Sequence, residues 1–248
     1  MNVEGKLAVV TGGGAGIGLA ITRALRTAGA DVLIVGRNGA RLRAAQDTDP
    51  QIRTVAADLG DGAQRARLID HLSNSRPPDI LVNNAGTMTQ IDLQGSTARA
   101  MMDDEIAVDL LAPMRLSTAL LPMLLGRPES AIVNVTTGLI YAPLAANPAY
   151  SAAKAGLHAF TQALRHQTRH TPLQVLEVLP PTVDTELTHG YGGPKIAPVV
   201  VGRAVVRALI TGRTELRIGQ AKLLYPMSRL MPNGTFPMMN RFVTQEQT

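Results

Sequence analysis

Seven short β-branched segments, separated by longer helical patterns, constrain this chain more than any other feature. Leu7–Thr11, Val32–Val35, Ile52–Ala57, Ile80–Asn83, Ala131–Thr136, Gln174–Leu179 and Glu215–Ile218 read as strands. Gly16–Thr27, Ala40–Gln46, Gly62–Asn74, Ala98–Leu125, Pro148–Arg169 and Pro198–Thr211 read as the helices between them. Regular alternation of this kind indicates βαβ units and a parallel sheet. Right-handed crossovers then give an α/β fold: a doubly wound, Rossmann-type, seven-stranded sheet with helices on both faces. The 248 residues carry no repeat, low-complexity tract or linker, so one domain spanning 1–248 is the simplest count. Pro113 removes one backbone bond from the fourth helix and predicts a kink there.

Two stretches escape the alternation. Residues 181–197 follow a strand end and are rich in Thr, Gly and Pro, which marks a substrate loop or lid. Residues 219–248 are rich in Met, Leu and Pro, too apolar for a free tail. This extension packs on the body, or forms a subunit interface or a pocket wall.

Bulk properties exclude several classes. An apolar fraction of 45% and a charged fraction of 17% describe an ordinary globular chain with a large core. Aromatic residues make up 3%, without tryptophan, which argues against stacking platforms for single-stranded nucleic acid. The net charge of +5 is dispersed along the chain (Arg23, Arg26, Arg37, Arg41, Arg43), so a solvated basic surface is expected rather than a nucleic-acid patch. Cysteine is absent, which excludes disulfides and thiolate metal sites, and no His/Asp/Glu cluster has metal-ligand spacing. Met1–Lys6 lacks the pattern of a signal segment, and the expectation is a cytoplasmic protein with no membrane span.

The segment Thr11-Gly12-Gly13-Gly14-Ala15-Gly16-Ile17-Gly18 lies at the first strand-to-helix turn. Glycines there let the chain turn sharply and let a pyrophosphate and the sheet approach the backbone. Gly36, rather than an acidic residue, ends the second strand, and Arg37 follows it. An acidic side chain would bind an unmodified ribose, whereas a guanidinium suits a 2′-phosphate, so NADP(H) is expected over NAD(H). Asp58 ends the third strand and is placed to accept from an adenine amino group, while Asn83-Asn84-Ala85-Gly86 ends the fourth. Downstream, Lys154 follows Tyr150 by one helical turn. This pairing reads as a phenolic proton donor with an ammonium that lowers its pKa.

Taken together, these residues resemble the short-chain dehydrogenase/reductase family. The likeness covers Lys6 to Thr211 and rests on the turn pattern T-G-x-x-x-G-x-G, on Asn83-Asn84-Ala85-Gly86, and on Tyr150 with Lys154 as Y-x-x-x-K. Glu105-Ile106-Ala107-Val108, Ala145-Ala146-Asn147-Pro148 and Leu179-Pro180-Pro181-Thr182-Val183-Asp184-Thr185 look most like its DltE-type oxidoreductase branch. The resemblance implies a cofactor lining of Gly12, Gly14, Gly16, Ile17, Gly18, Arg37, Asp58, Leu59, Asn83, Ala85, Gly86, Tyr150, Lys154, Val183 and Thr185. It implies that Tyr150 protonates a carbonyl oxygen as hydride arrives from the nicotinamide, with a small carbonyl or alcohol as substrate. It further implies a homodimer or homotetramer.

Two positions depart from the family pattern. Thr137 stands where the family has Ser, 13 residues before Tyr150, and keeps a hydroxyl able to orient a carbonyl. Strand alternation points its neighbour Thr136 to the other face. Asp109 stands where the family has Asn. An ionised carboxylate near Lys154 stabilises the ammonium and partly neutralises its pull on Tyr150; the outcomes are a retuned pH optimum, a protonated Asp109 that mimics the amide, or a weakened enzyme, and retained activity with a changed pH profile is the favoured one. The expected catalytic set is therefore Tyr150, Lys154, Thr137 and Asp109. The alternative is a nucleotide-binding sensor or scaffold with little turnover.

Overall fold

A computed structural model describes the backbone of residues 1–244 and the side chains of residues 1–241. All seven expected strands form: β1 (Leu7–Thr11), β2 (Asp31–Gly36), β3 (Arg53–Ala56), β4 (Ile80–Asn83), β5 (Ser130–Val135), β6 (Leu173–Leu179) and β7 (Glu215–Arg217). They pair in parallel in the order β3-β2-β1-β4-β5-β6-β7. The chain winds outward from β1 through β3 and returns to β4 beside β1. This reversal opens a crevice at the carboxyl ends of β1 and β4, where such sheets bind ligands.

Strand periodicity divides the core between two faces. Ala8, Val10, Ile34, Val82 and Val133 face one side, where α1 (Gly16–Thr27) and α7 (Pro198–Ile210) supply Ile21, Leu25, Val201, Val205 and Leu209. Leu7, Val9, Leu33, Leu81 and Ile132 face the other, with Leu68, Leu116, Leu120 and Leu164. Those four come from α3 (Gly62–Asn74), α5 (Ala112–Leu125) and α6 (Pro148–Gln167). Burial on both faces is why the central strands β1, β2 and β4 are apolar along most of their length, whereas the edge strands β3 and β7 carry polar residues. The short α2 (Gly39–Thr48) follows β2 and is capped by the Asn38 side chain, which accepts from the Arg41 N–H.

The stretch 98–125 is not one kinked helix. It is α4 (Ala98–Ile106), a π-helical turn over Ala107–Leu111, then α5. Pro113 cannot donate to the Asp109 carbonyl, the bond an unbroken α-helix requires. The turn ahead of it widens instead, and the Ala112 N–H reaches the Ala107 carbonyl. Wide turns of this type gather at functional positions, and Asp109 lies inside this one. By length and apolarity 98–125 could cross a membrane, with a mean hydropathy of 1.4. In the fold its apolar stripe packs on the sheet, and Glu105 and Asp109 are buried beside α6.

The tail is more ordered than its composition indicates. It forms α8 (Ala221–Leu230) and α9 (Pro232–Thr244), whose interior prolines Pro226 and Pro237 mask the helical pattern. Ala221 is fully buried against Gly138, and Arg217 stacks on Tyr225 with its guanidinium 4.0 Å from the ring centroid. Asn240 bonds the Ala145 N–H at 2.6 Å and the Pro143 carbonyl at 3.0 Å. The extension therefore packs on the 138–147 segment. Residues 245–248 of that extension lie outside the described ones.

Candidate active site

The crevice carries the glycine-rich turn. Gly12 has φ +64°, a left-handed conformation that favours glycine, and a Cβ on Gly18 would meet the Gly12 carbonyl oxygen at 2.2 Å. The turn and the start of α1 can thus close on each other only without side chains. Ala15 leaves the amino terminus of α1 without a side-chain cap, and the first turn holds no acidic residue. Its free N–H groups and positive dipole end suit an anion, so the residues present fit a dinucleotide pyrophosphate. Asn84 braces the turn, donating from Nδ2 to the Thr11 carbonyl at 3.1 Å, while the Thr11 hydroxyl accepts from the Asn84 and Ala85 N–H groups.

The remaining expected cofactor residues fall around this crevice with differing roles. Arg37 is exposed at the end of β2 and has no hydrogen-bond or ion-pair partner among the described residues. Asp58 folds back, accepting from the Gly60 N–H at 2.9 Å, and the Leu59 side chain enters the core. Asn83 turns beneath the sheet edge and donates to Asn134 Oδ1 at 2.8 Å and Ser117 Oγ at 3.0 Å. Its side chain is a strand tie, leaving its backbone to the crevice. Val183 is buried and bridges to Ile196 across the base of the 181–197 segment. The Thr185 methyl lies 3.1 Å from where a Cβ on Gly16 would be, so this segment sits over the glycine-rich turn.

The residues expected to be catalytic converge from three elements. Pro148 begins α6 and places Tyr150 in its first turn and Lys154 in the next. Both are buried, at 7% and 4% exposure, and the Lys154 ammonium lies 5.7 Å from the Tyr150 ring centroid. Thr137, just past β5, has its side chain near enough to the Tyr150 phenol to lower its pKa, and its hydroxyl accepts from the Leu139 N–H at 3.2 Å. Thr136 lies on the opposite face and donates to Glu177 Oε1 at 2.9 Å, as alternation predicts. Asp109 is fully buried, with Oδ2 3.2 Å from the Lys154 Nζ and Oδ1 accepting the Thr87 N–H at 2.8 Å. Gly86 permits this approach, since a Cβ there would meet Asp109 Oδ2 at 2.9 Å.

The field of the protein acts on Tyr150 opposite to the simplest expectation. Burial pushes the phenol well above its ordinary value, the Asp109 carboxylate pushes it further, and only the Thr137 side chain draws it back. The depression expected from Lys154 does not prevail: burial dominates, and Asp109 lies 3.2 Å from the ammonium. Burial likewise raises Asp109 itself, opposed by Lys154 and by the Thr87 donors.

Several participants were not singled out from the sequence. Asn147 is buried, donating to the Thr89 carbonyl at 2.9 Å and to the Tyr191 hydroxyl at 2.7 Å, and so links the 181–197 segment to the start of α6. Arg41 forms an ion pair with Glu186 of the lid. His158, one turn beyond Lys154 on α6, bonds both Glu177 oxygens at 2.8 and 2.9 Å. Glu105, read only as part of a resemblance, is buried one helical turn before Asp109. None of these carries a local sequence signal, because each partner comes from a distant element.

A doubly wound sheet with an uncapped glycine turn, and Tyr, Thr and Lys converging at its carboxyl edge, defines a dinucleotide-dependent oxidoreductase class. The family model for short chain dehydrogenase matches residues 6–193, and the chain belongs to that family. It is 43% identical over 189 residues to the uncharacterized oxidoreductase DltE of Bacillus subtilis (strain 168), covering 75% of each chain. It is 30% identical over 248 residues to the ketoacyl reductase HetN of a Nostoc species (92% of this chain, 84% of the relative). Among solved structures, a short chain dehydrogenase from Burkholderia cenocepacia J2315 in complex with NADP superimposes with a TM-score of 0.83. The two share 27% identity, over 94% of this chain and 96% of that one.

Proposed function

We propose that this protein is an NADP(H)-preferring oxidoreductase that interconverts a carbonyl and an alcohol, with Tyr150 as its acid and base. The observation that carries this reading is the Tyr150–Thr137 contact with Lys154 adjacent, all buried beside the uncapped α1 terminus. A bound nicotinamide dinucleotide supplies the hydride. Thr137 orients the carbonyl with its hydroxyl, and Tyr150 delivers the phenolic proton to the carbonyl oxygen. A phenol held above its ordinary pKa is protonated at neutrality, which suits reduction. Lys154, held by Asp109, presents its ammonium to the ribose hydroxyls, and its pull toward the phenolate is partly offset by that carboxylate.

Arg37 supports the preference for NADP(H): its unpartnered guanidinium ends β2 where no carboxylate repels a 2′-phosphate. The 181–197 segment acts as a lid over cofactor and substrate. Substrate walls come from the 138–147 segment, the lid and the docked tail, which suit a moderately sized, largely apolar ketone. A relative named a ketoacyl reductase is in keeping with this chemistry. Ala152, Ala155 and Ala159 form an exposed small-residue stripe on α6 that allows helix pairing in a homodimer or homotetramer. Light scattering that gives a monomer at micromolar concentration would reject that assembly. Neither nucleic acid nor membrane enters the reading.

The test follows NADPH absorbance against a panel of ketones, aldehydes and diketones, with Tyr150→Phe as control. Turnover that falls about a hundredfold or more in the variant is the expected result. Tight NADPH binding without turnover on any carbonyl would overturn the enzyme reading in favour of a nucleotide-binding sensor, which the Lys154–Asp109 pair makes the specific rival. Arg37→Asp should move the preference toward NADH, and an unchanged NADPH-to-NADH efficiency ratio would remove Arg37 from cofactor choice.

A further inference from the structure

Asp109 has a buried carboxylate companion. Glu105 lies one turn earlier on α4, 1% exposed, and the two carboxylates grip alternate residues of the segment after β4. Asp109 Oδ1 accepts from the Thr87 N–H at 2.8 Å, and Glu105 Oε1 accepts from the Thr89 N–H at 2.8 Å. The second oxygens, Asp109 Oδ2 and Glu105 Oε2, are both buried without a well-formed hydrogen bond. Lys154 stands 3.2 Å from the first. The Tyr150 backbone amide, in the first turn of α6, lies near enough to the Glu105 carboxyl to lower its pKa.

Two carboxylates thus share one ammonium in a closed interior. If both were ionised, one negative charge would remain uncompensated there, at high cost. A single proton removes that charge. Asp109 holds the ion pair and both Thr87 donors, N–H and hydroxyl, so it is the better anion. Glu105 has one firm donor and an orphan oxygen, so it is the better acid.

We propose that Glu105 is a positioning residue that carries this proton up to neutrality and releases it above, keeping Asp109 ionised against Lys154 and, while protonated, sparing the Tyr150 phenol a second negative neighbour. The proposal rests on Tyr150 as the acid and base of the reaction described above. The groups facing Glu105 are few. Its own helix run contributes Asp109, and α6 contributes Lys154 and Tyr150. The segment after β4 contributes the uncharged Thr87 and Thr89, and Asn147 joins that segment to Tyr191 of the lid. Burial is the largest influence and raises the Glu105 carboxyl to about 7; Asp109 adds to the rise, while the Thr89 amide, the Tyr150 amide and Lys154 oppose it. Ionised Glu105 in turn disfavours the phenolate of Tyr150.

Alcohol oxidation requires the phenol to lose its proton, so Glu105 charging above neutrality resists that step. Glu105→Gln fixes the uncharged form. Its oxidation pH–rate curve should move about half a unit toward lower pH, while carbonyl reduction at pH ~6, where Glu105 is already neutral, stays within about twofold of wild type. Infrared difference spectra supply a readout independent of turnover. Wild type should show a buried carboxylic-acid band that bleaches on titration through neutrality and is missing in Glu105→Gln. Should that variant fail to fold, Asp109→Asn should move the bleaching of the same band to lower pH, since a like charge has gone. Superimposable rate curves, or a wild-type spectrum with no such band, would overturn the proposal. Wild type that shows the band and yet turns over no carbonyl or alcohol would refute the proposed reaction and, with it, any positioning role, leaving Glu105 only as the proton holder.

Discussion

Asp109→Asn tests how the fold sets the acidity of Tyr150. The Lys154 ammonium lies 5.7 Å from the phenol ring centroid and 3.2 Å from Asp109 Oδ2, so the carboxylate lies within about 9 Å of the ring. At an effective dielectric near 20, two charges that far apart interact by about 2 kcal/mol, or somewhat over one pKa unit. The carboxylate raises the phenol, and its removal lowers it. Lys154, no longer neutralised at close range, adds to the fall. Asparagine keeps an acceptor for the Thr87 N–H, so the loop contact is retained. The assay is kcat/KM for alcohol oxidation with NADP⁺ between pH ~6 and ~10, in wild type and variant. The rising limb of Asp109→Asn should lie at least about one pH unit to the acid side. Curves that superimpose, or a shift to higher pH, would refute the assignment of Asp109 as the charge that holds the phenol protonated.

Glu105 also couples stability to pH. Its folded-state value of about 7 exceeds its ordinary 4.5, so the native state binds this proton more tightly than the unfolded chain. That contribution is present below pH ~4.5 and is lost as pH rises through about 7, amounting to about 3 kcal/mol. Urea unfolding should show the stability of wild type relative to Glu105→Gln declining by this order across the window; a difference that is flat with pH would contradict it. Gly18→Ala places a methyl 2.2 Å from the Gly12 carbonyl oxygen, which cannot yield as a flexible side chain would. It should cost about 2 kcal/mol or more and weaken dinucleotide binding severalfold, read by thermal unfolding and by NADPH fluorescence titration. Wild-type melting together with wild-type NADPH affinity would show that the turn is looser than described.

Much of this protein is legible along the chain. All seven strands appear within one or two residues of their expected bounds; burial on both faces imposes apolar runs on the central ones, and regular alternation with helices places the edge strands β3 and β7. The glycine turn and the Tyr150–Lys154 spacing are also local, since a turn and a helix face are built from near neighbours. Pro113 announces an interruption but not its form: the widened turn that carries Asp109 depends on how α4 and α5 both seat against α6. The tail helices stay hidden because Pro226 and Pro237 break the pattern, and docking on the 138–147 segment supports them from outside the tail.

The sequence by itself determined the sheet, the anion-binding turn and the presence of a phenol one helical turn from an ammonium. Only the tertiary structure decided what those groups experience. It set Asp109 on Lys154, buried Glu105 behind the pair, joined His158 to Glu177 and laid Thr185 over Gly16. Secondary structure follows from interactions a few residues apart. The acidity of a buried group depends on desolvation and on charges brought within a few ångströms from remote segments, and neither exists until the chain has closed around it.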